Sequence, residues 1–450
     1  MEVQSAHPSG SFQKNAHENI GVLWASLGAV VLLIAAYSNF FHQSFQFEDR
    51  QVIRDNLYIQ SLESIPQLFS NPRDVLSIPA DVPYRPLVSL SFAWDYWIAG
   101  GLDPWQFHLT QFILVVFLGM GFAVVGQFFL DRAGRHWSNT YVALVAALLC
   151  CVHIANAEML SQISSRASLL ATLGVVGSFL LYGCLPTWRP SHLYLLPMML
   201  GTLAHPLGVL FVPLLLVYVL LFEKRLSCRE LCSADAWPKI RHALGKVLPA
   251  FLTGIALLLF LDGVTPFQEM GRGNIADALL LQPFLWLHYV QRFFIPFVMT
   301  EDIVWDVPLS IFDPRFLAGM FCIVLLGRMV WASSHTKELR PVTFGIMWFI
   351  VGMLGVVSTG EPEKWTHQAL FPFFGLTLAV MSWVGYQLRK CRLGFIQKNS
   401  LTIPMVCLSG VLLLAAHAVG TYQLHDSGFS IEPPTEVSGV ERPVSQGRKL

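Results

Sequence analysis

Long apolar runs alternate with short polar loops along almost the whole chain, and the runs have the length of membrane-crossing helices. They fall at about 20–41, 108–130, 140–157, 167–185, 192–205, 207–222, 247–262, 314–331, 341–359, 366–388 and 401–420. A helix needs roughly 20 mostly apolar residues to cross the hydrocarbon core. The strand-like alternation of a β-barrel is absent. Between 192–205 and 207–222 the triplet Ala204-His205-Pro206 interrupts what would otherwise be one long helix, and the proline permits a tight turn there. A twelfth segment, 281–299, carries Pro283, His288, Gln291, Arg292 and Pro296. This pattern suits an interfacial or re-entrant helix.

Charge orients the spans. Arg132 and Arg135, the basic cluster within 223–246, Lys337 and Arg340, and the group Arg389, Lys390, Arg392 and Lys398 occupy four loops. Lys and Arg collect on the cytoplasmic side. All four loops are cytosolic if the N-terminus is inside and 281–299 does not cross. The expectation is an all-α polytopic bundle of about eleven transmembrane helices with an outer-face interfacial or re-entrant helix. Of 29 Asp and Glu, only Glu2, Glu18, Asp131, Glu223, Glu230, Asp235 and Glu338 are then inside. Residues 1–19 read as a disordered cytosolic tail, 20–425 as the transmembrane domain and 426–450 as a disordered outer tail. The first span is longer than a signal-peptide core and has no small-x-small cleavage site, so it reads as a retained anchor.

Composition agrees with this organisation. The chain of 450 residues is 54% hydrophobic and 13% charged, whereas soluble domains carry about 25% charged residues. Net charge is zero and no basic stripe points to nucleic acid. None of the eight cysteines falls in an expected outer segment, so a disulfide framework is not expected, and Cys228 and Cys232 read as reduced cytosolic thiols.

Candidate chemistry gathers on the outer side, above all in the loop 42–107. Glu48 and Asp49 follow the anchor closely and could take a proton from a hydroxyl, or bind a divalent cation, Mg or Mn, beside a phosphate. No metal site is otherwise suggested. Pro86 disfavours helix at the residue before it, so Tyr84 and Arg85 stand at a rigid break before an amphipathic helix. Arg85 could bind a phosphate or a carboxylate, or form a structural ion pair. His153, Glu158 and Arg166 flank one outer turn. They are functional candidates at such depth, with an internal Glu158–Arg166 pair as the alternative. His205 reads as a turn residue. Glu361, Glu363, Lys364 and His367 stand at the outer start of a late span, where a lipid-linked substrate would meet protein.

These motifs, in this order, resemble the membrane part of the transmembrane and tetratricopeptide repeat O-mannosyltransferase-like proteins, within the GT-C superfamily of glycosyltransferases. The resemblance rests on Glu48-Asp49, Tyr84 to Leu87 with Leu90 to Phe92, GLDPWQFH from Gly101 to His108, His153 to Glu158 with ISSRAS from Ile163 to Ser168, Ala204 to Pro206, and HQALFPFFG from His367 to Gly375. YRPL with GLDPWQFH is its most specific piece. The chain departs from the family pattern in its ED pair, in Ile154 after His153, in Ser168, and in Ala204-His205-Pro206 where the family reads SKE.

The resemblance implies a GT-C bundle whose first outer loop carries the catalytic acid, and a polyprenyl-phosphate sugar as donor. Asp49, or Glu48 beside it, would be the base, and Arg85, Arg166 or Arg292 would bind the donor phosphate. Tyr84, His153, Glu158, His205 and His367 would support the site. The acceptor would be a hydroxyl of a protein, a glycan or a lipid. The family's repeats do not occur in the sequence, which favours a short bacterial form in the inner membrane, with its active face periplasmic or extracellular. The altered SKE and RAD positions motivate a second reading, a non-catalytic GT-C relative serving in a membrane complex. A transporter fits less well, because the ionisable residues cluster at span ends rather than at a central site.

Overall fold

The structure, a computed structural model, describes residues 9–46, 49–66, 84–264, 275–295, 310–356, 369–394 and 402–426. All regular secondary structure among them is helical. Helices of eight residues or more are α1 (Ser9–Ala36), α2 (Pro86–Ala99), α3 (Pro104–Ala133), α4 (Ser138–Val152), α5 (Ile154–Ser161), α6 (Arg166–Cys184), α7 (Leu195–Ala204), α8 (Phe211–Tyr218), α9 (Trp237–Val264), α10 (Ile275–Phe294), α11 (Pro314–Ser334), α12 (Arg340–Val356), α13 (Leu370–Gly394) and α14 (Thr402–Asp426).

Among the described residues, 7 helices are long and apolar enough to cross a membrane, or 8 if the bent pair α4 and α5 is one span. The protein is therefore an integral, multi-pass membrane protein, although that count is short of the eleven crossings expected. The other expected places also hold helix: the shorter apolar stretches Ile20–Ala36 and Leu195–Ala204, and α14. The first helix begins at Ser9, inside the stretch expected to be a tail, and gives way at Tyr37 to a 3-10 turn, Ser38–His42. The span expected at 140–157 is broken at His153, whose extended backbone separates helices bent by 53°. Between α7 and the span Pro206–Glu223, His205 is extended as the Ala-His-Pro triplet predicts.

The bundle centre is filled by aromatic side chains. Phe122 of α3 stacks on Phe374 of α13 at 3.7 Å, and Phe129 meets Phe344 of α12 at 4.3 Å. Trp348, fully buried, donates its indole N–H to the Phe371 carbonyl at 3.0 Å. Helices α12 and α13 cross at Gly345 and Gly375, where a Cβ on Gly345 would lie 2.5 Å from the Gly375 oxygen. Only glycine permits that approach, and small residues at crossings are how helices pack where lipid removes the hydrophobic drive between them. The windows of α9 and α11 are 22% and 28% buried, against 67% for α13, so these two helices present broad apolar faces outward.

Contacts sort the bundle into two ends. At one end, Arg389 reaches the Asn139 side chain at 3.3 Å, Arg340 donates to the Arg225 carbonyl at 3.1 Å, and the Cys228 N–H donates to Ser334 at 3.1 Å. Glu223 pairs there with Arg189 and Lys246. The four basic loops expected to be cytosolic thus meet at this basic end. Helix α10 stays at the other end. Its Pro283 backbone lies against Gly319, near the start of α11, and its Tyr289 and Phe293 pack on Phe373, near the start of α13. Leu281, Leu285, Trp286, Tyr289 and Phe293 are buried on one face of α10, whereas Gln291 and Phe294 are exposed, so α10 packs one side against the protein.

Candidate functional site

The acid expected to carry the chemistry is held deep in the far end, away from the basic loops. Asp49 is fully buried. Its Oδ1 accepts the Ser164 N–H at 2.8 Å and its Oδ2 accepts the Gln46 N–H at 3.1 Å. A buried carboxylate is costly unless hydrogen-bonded. These two amides supply that, and they tie the first outer loop to the 3-10 turn Ile163–Ser165. Ile53 and Ile59, farther along the loop, join Val88, Phe92, Phe107, Ile163 and Ala204 in one apolar cluster beneath the site. Glu48 lies outside the described residues.

Arg166, first residue of α6, is fully buried and its fork is filled from within. Nη1 reaches Asp95 Oδ2 at 2.5 Å and Ser91 Oγ at 3.3 Å, Nη2 donates to the Phe107 carbonyl at 2.8 Å, and Nε donates to Gln111 Oε1 at 3.3 Å. The guanidinium also lies over the Phe92 ring at 4.7 Å. Arg166 thus makes an ion pair with Asp95; the Glu158 side chain, its expected alternative partner, lies outside the described residues. The expected donor-phosphate contact would require Arg166 to give up these partners. Asp95 also accepts the Thr110 hydroxyl at 2.5 Å. Burial pushes the Asp95 carboxyl up, and Arg166 and the hydrogen bonds pull it back. The sequence carries a signal for Asp95: Val88, Phe92 and Asp95 fall at helical spacing on one buried face of α2. A charge on an apolar helix face implies a buried partner.

Tyr84 and Arg85 stand before α2, whose first helical position is Pro86. Tyr84 is buried, and burial raises its hydroxyl. Arg85 is half-buried and lies within electrostatic reach of His205. His205 is buried at the break after α7, and its Nδ1 accepts the Leu207 N–H at 3.2 Å. In the neutral ring that bond leaves the proton on Nε2. Asp49, Arg85, Arg166 and His205 thus surround one apolar cluster.

His153 and Arg292 belong to a second group. His153 Nε2–H donates to the Phe293 carbonyl at 3.0 Å, and its ring stacks on Phe293 and lies 4.6 Å from His417. Arg292 is buried within electrostatic reach of His153 and His288. Burial, reinforced by Arg292, lowers the His288 imidazole to about 4. Helix α5 joins the groups; its eight residues span about 12 Å, with Glu158 in its second turn. Glu361, Glu363, Lys364 and His367 lie outside the described residues, although neighbouring Ala369 is buried with Phe293 and Phe373. Among the described residues no three His, Cys, Asp or Glu side chains converge as a metal site would require.

Comparison with known proteins places the chain beside one set of enzymes. It is 26% identical over 215 residues to Protein O-mannosyl-transferase TMTC3 of Mus musculus, covering 45% of this chain and 22% of that protein. It is 27% identical over 170 residues to Protein O-mannosyl-transferase TMTC4 of Homo sapiens, covering 35% and 23%. Protein O-mannosyl-transferase Tmtc2 of Drosophila melanogaster is 27% identical over 165 residues, covering 36% and 17%. The resemblance read from the motifs is thus found again in these relatives, and the matched stretch spans less than a quarter of their own length. No family model and no solved structure matches. All three relatives are animal proteins and lend nothing to the expected bacterial membrane.

Proposed function

We propose that the chain is a membrane glycosyltransferase of GT-C type, moving mannose or a related hexose from a polyprenyl-phosphate donor to a hydroxyl acceptor, a protein Ser or Thr in the first instance. The observation that carries this reading is Asp49, a carboxylate aligned by two backbone amides at the end of the bundle opposite the basic loops. Because Lys and Arg mark the cytoplasmic side, the site end faces outward.

The chemistry asked of the protein is modest. Asp49 accepts the proton of the acceptor hydroxyl as its oxygen attacks the anomeric carbon, and the lipid phosphate leaves with inversion. Arg85, on the Asp49 side of the site end, would supply fixed positive charge where the departing phosphate develops negative charge, while Arg292 stays with the group around His153. Arg166 serves the site from within the fold.

One observation favours the second reading, a non-catalytic relative within a membrane complex: Asp49 is fully enclosed. Reconstituted protein separates the two. Polyprenyl-phosphate mannose and a Ser/Thr-containing peptide are incubated with the protein in vesicles, with Mg, with Mn and with a chelator. Sugar transfer that disappears in Asp49→Asn supports the enzyme, and absence of turnover in every condition, with the protein in a stable stoichiometric complex, supports the subunit.

A further inference from the structure

We propose that Asp95 is a positioning residue that sets the orientation of Asp49 without touching it; this rests on the reading of Asp49 as the base. The connection is continuous. Asp95 holds Arg166 at Nη1. Arg166 directly follows the Ile163–Ser165 turn, and its Nε fixes Gln111, whose amide donates to Ser165 Oγ at 3.1 Å. Ser165 Oγ in turn donates to the Gln162 carbonyl at 2.7 Å, closing the turn on itself. The Ser164 N–H between these anchored residues is the donor that fixes Asp49 Oδ1.

The charged end of the chain is packed where it cannot move alone, and Ser164 and Ser165 at its other end are half-buried. Both partners of the ion pair have fully buried side chains, and Phe92 covers the guanidinium face. Asp95 lies on α2, Gln111 on α3, and the turn enters α6. The pair thus joins three helices of the site end to one amide. The outer loop that bears Asp49 has its own contacts to the apolar cluster, but the direction of Oδ1 is set by Ser164. A shift of the turn changes the angle at which the carboxylate meets an acceptor without removing any group that binds the donor.

The test uses the full-length protein in vesicles. Asp95→Asn/Arg166→Gln removes both charges together and avoids leaving one of them buried alone. Misplacing a reacting group by about 1 Å costs on the order of 100-fold, so kcat falls by roughly that factor while KM for polyprenyl-phosphate mannose stays within about twofold. Amide exchange of the peptide containing residues 162–166 rises about tenfold or more as Ser164 loses its fixed partner. Placed on Asp49→Asn, the same change lowers the residual rate no further, because it acts through Asp49. Thr110→Val leaves both charges paired, removes one hydrogen bond to Asp95, and produces the same effects at about fivefold. Unchanged exchange at 162–166 in both variants overturns the proposal, as does a rate loss that multiplies with that of Asp49→Asn. Full activity of Asp49→Asn itself refutes the base assignment instead, and the exchange measurement still reports whether Asp95 governs the turn.

Discussion

Replacing Gly319 by alanine tests the packing of α10 on α11. Gly319 lies near the start of α11, and a Cβ there would overlap the Pro283 carbonyl and come within 2.6 Å of the Phe284 nitrogen. These are backbone atoms of α10, which cannot swing away as a side chain does. To make room the two helices must part by roughly 1 Å, and a gap of that size forfeits a quarter to a half of the dispersion energy along the opened face. That face holds Leu281, Leu285 and Trp286. Overpacking of this kind costs typically 1–3 kcal/mol, and with backbone on both sides the upper part of the range, about 3 kcal/mol, is expected. Gly327 on the same helix supplies the control, because nothing lies within 4 Å of its added Cβ. There alanine gains about 0.5–1 kcal/mol of helix propensity. Thermal unfolding of the two variants in one detergent therefore separates them in opposite directions. Equal shifts, or a Gly319→Ala protein as stable as the parent, would refute the packing of α10 on α11.

Other expectations follow from single contacts. His288 is buried and its imidazole is lowered to about 4, so the unfolded chain binds its proton first. Its contribution is present above about pH 6.5 and is lost as pH falls toward 4, up to about 3 kcal/mol; His288→Gln should flatten the acid limb of a detergent stability curve, and an unchanged limb would contradict the burial. Trp348→Phe removes the indole donor to the Phe371 carbonyl and should lower stability by about 1–2 kcal/mol in the same melts; a neutral result would mean that this bond is not made. Cys184 and Cys232 are exposed free thiols in the segments bordering the basic loops. In right-side-out vesicles an impermeant maleimide should label neither until the membrane is opened, and labelling of sealed vesicles would invert the proposed topology.

The apolar runs made most of the bundle legible, because a membrane span is a local property of composition. The segments expected at 108–130 and 314–331 lie within Pro104–Ala133 and Pro314–Ser334, and the one expected at 167–185 matches Arg166–Cys184 to within a residue at each end. The Pro206 break was equally readable, since proline acts on its immediate neighbours. What escaped is what depends on distant partners. Asp95 and Arg166 are 71 residues apart, and nothing near either names the other. His153 shows the same limit: its ring is oriented by the carbonyl of Phe293 and by His417, and the bend at its backbone interrupts an apolar run that gave no sign of breaking. The candidate residues also divide into two groups, around Asp49 and around His153, although their outer-end positions along the chain suggested a single site.

The most direct test of the central claim is sugar transfer by Asp49→Asn against Asp49→Glu in reconstituted, folded protein, with polyprenyl-phosphate mannose as donor. Asparagine keeps the size and one of the two amide contacts but cannot take a proton, so the account predicts a loss of at least about 100-fold in kcat, with partial activity recovered by glutamate. Transfer at the parent rate by Asp49→Asn would contradict it.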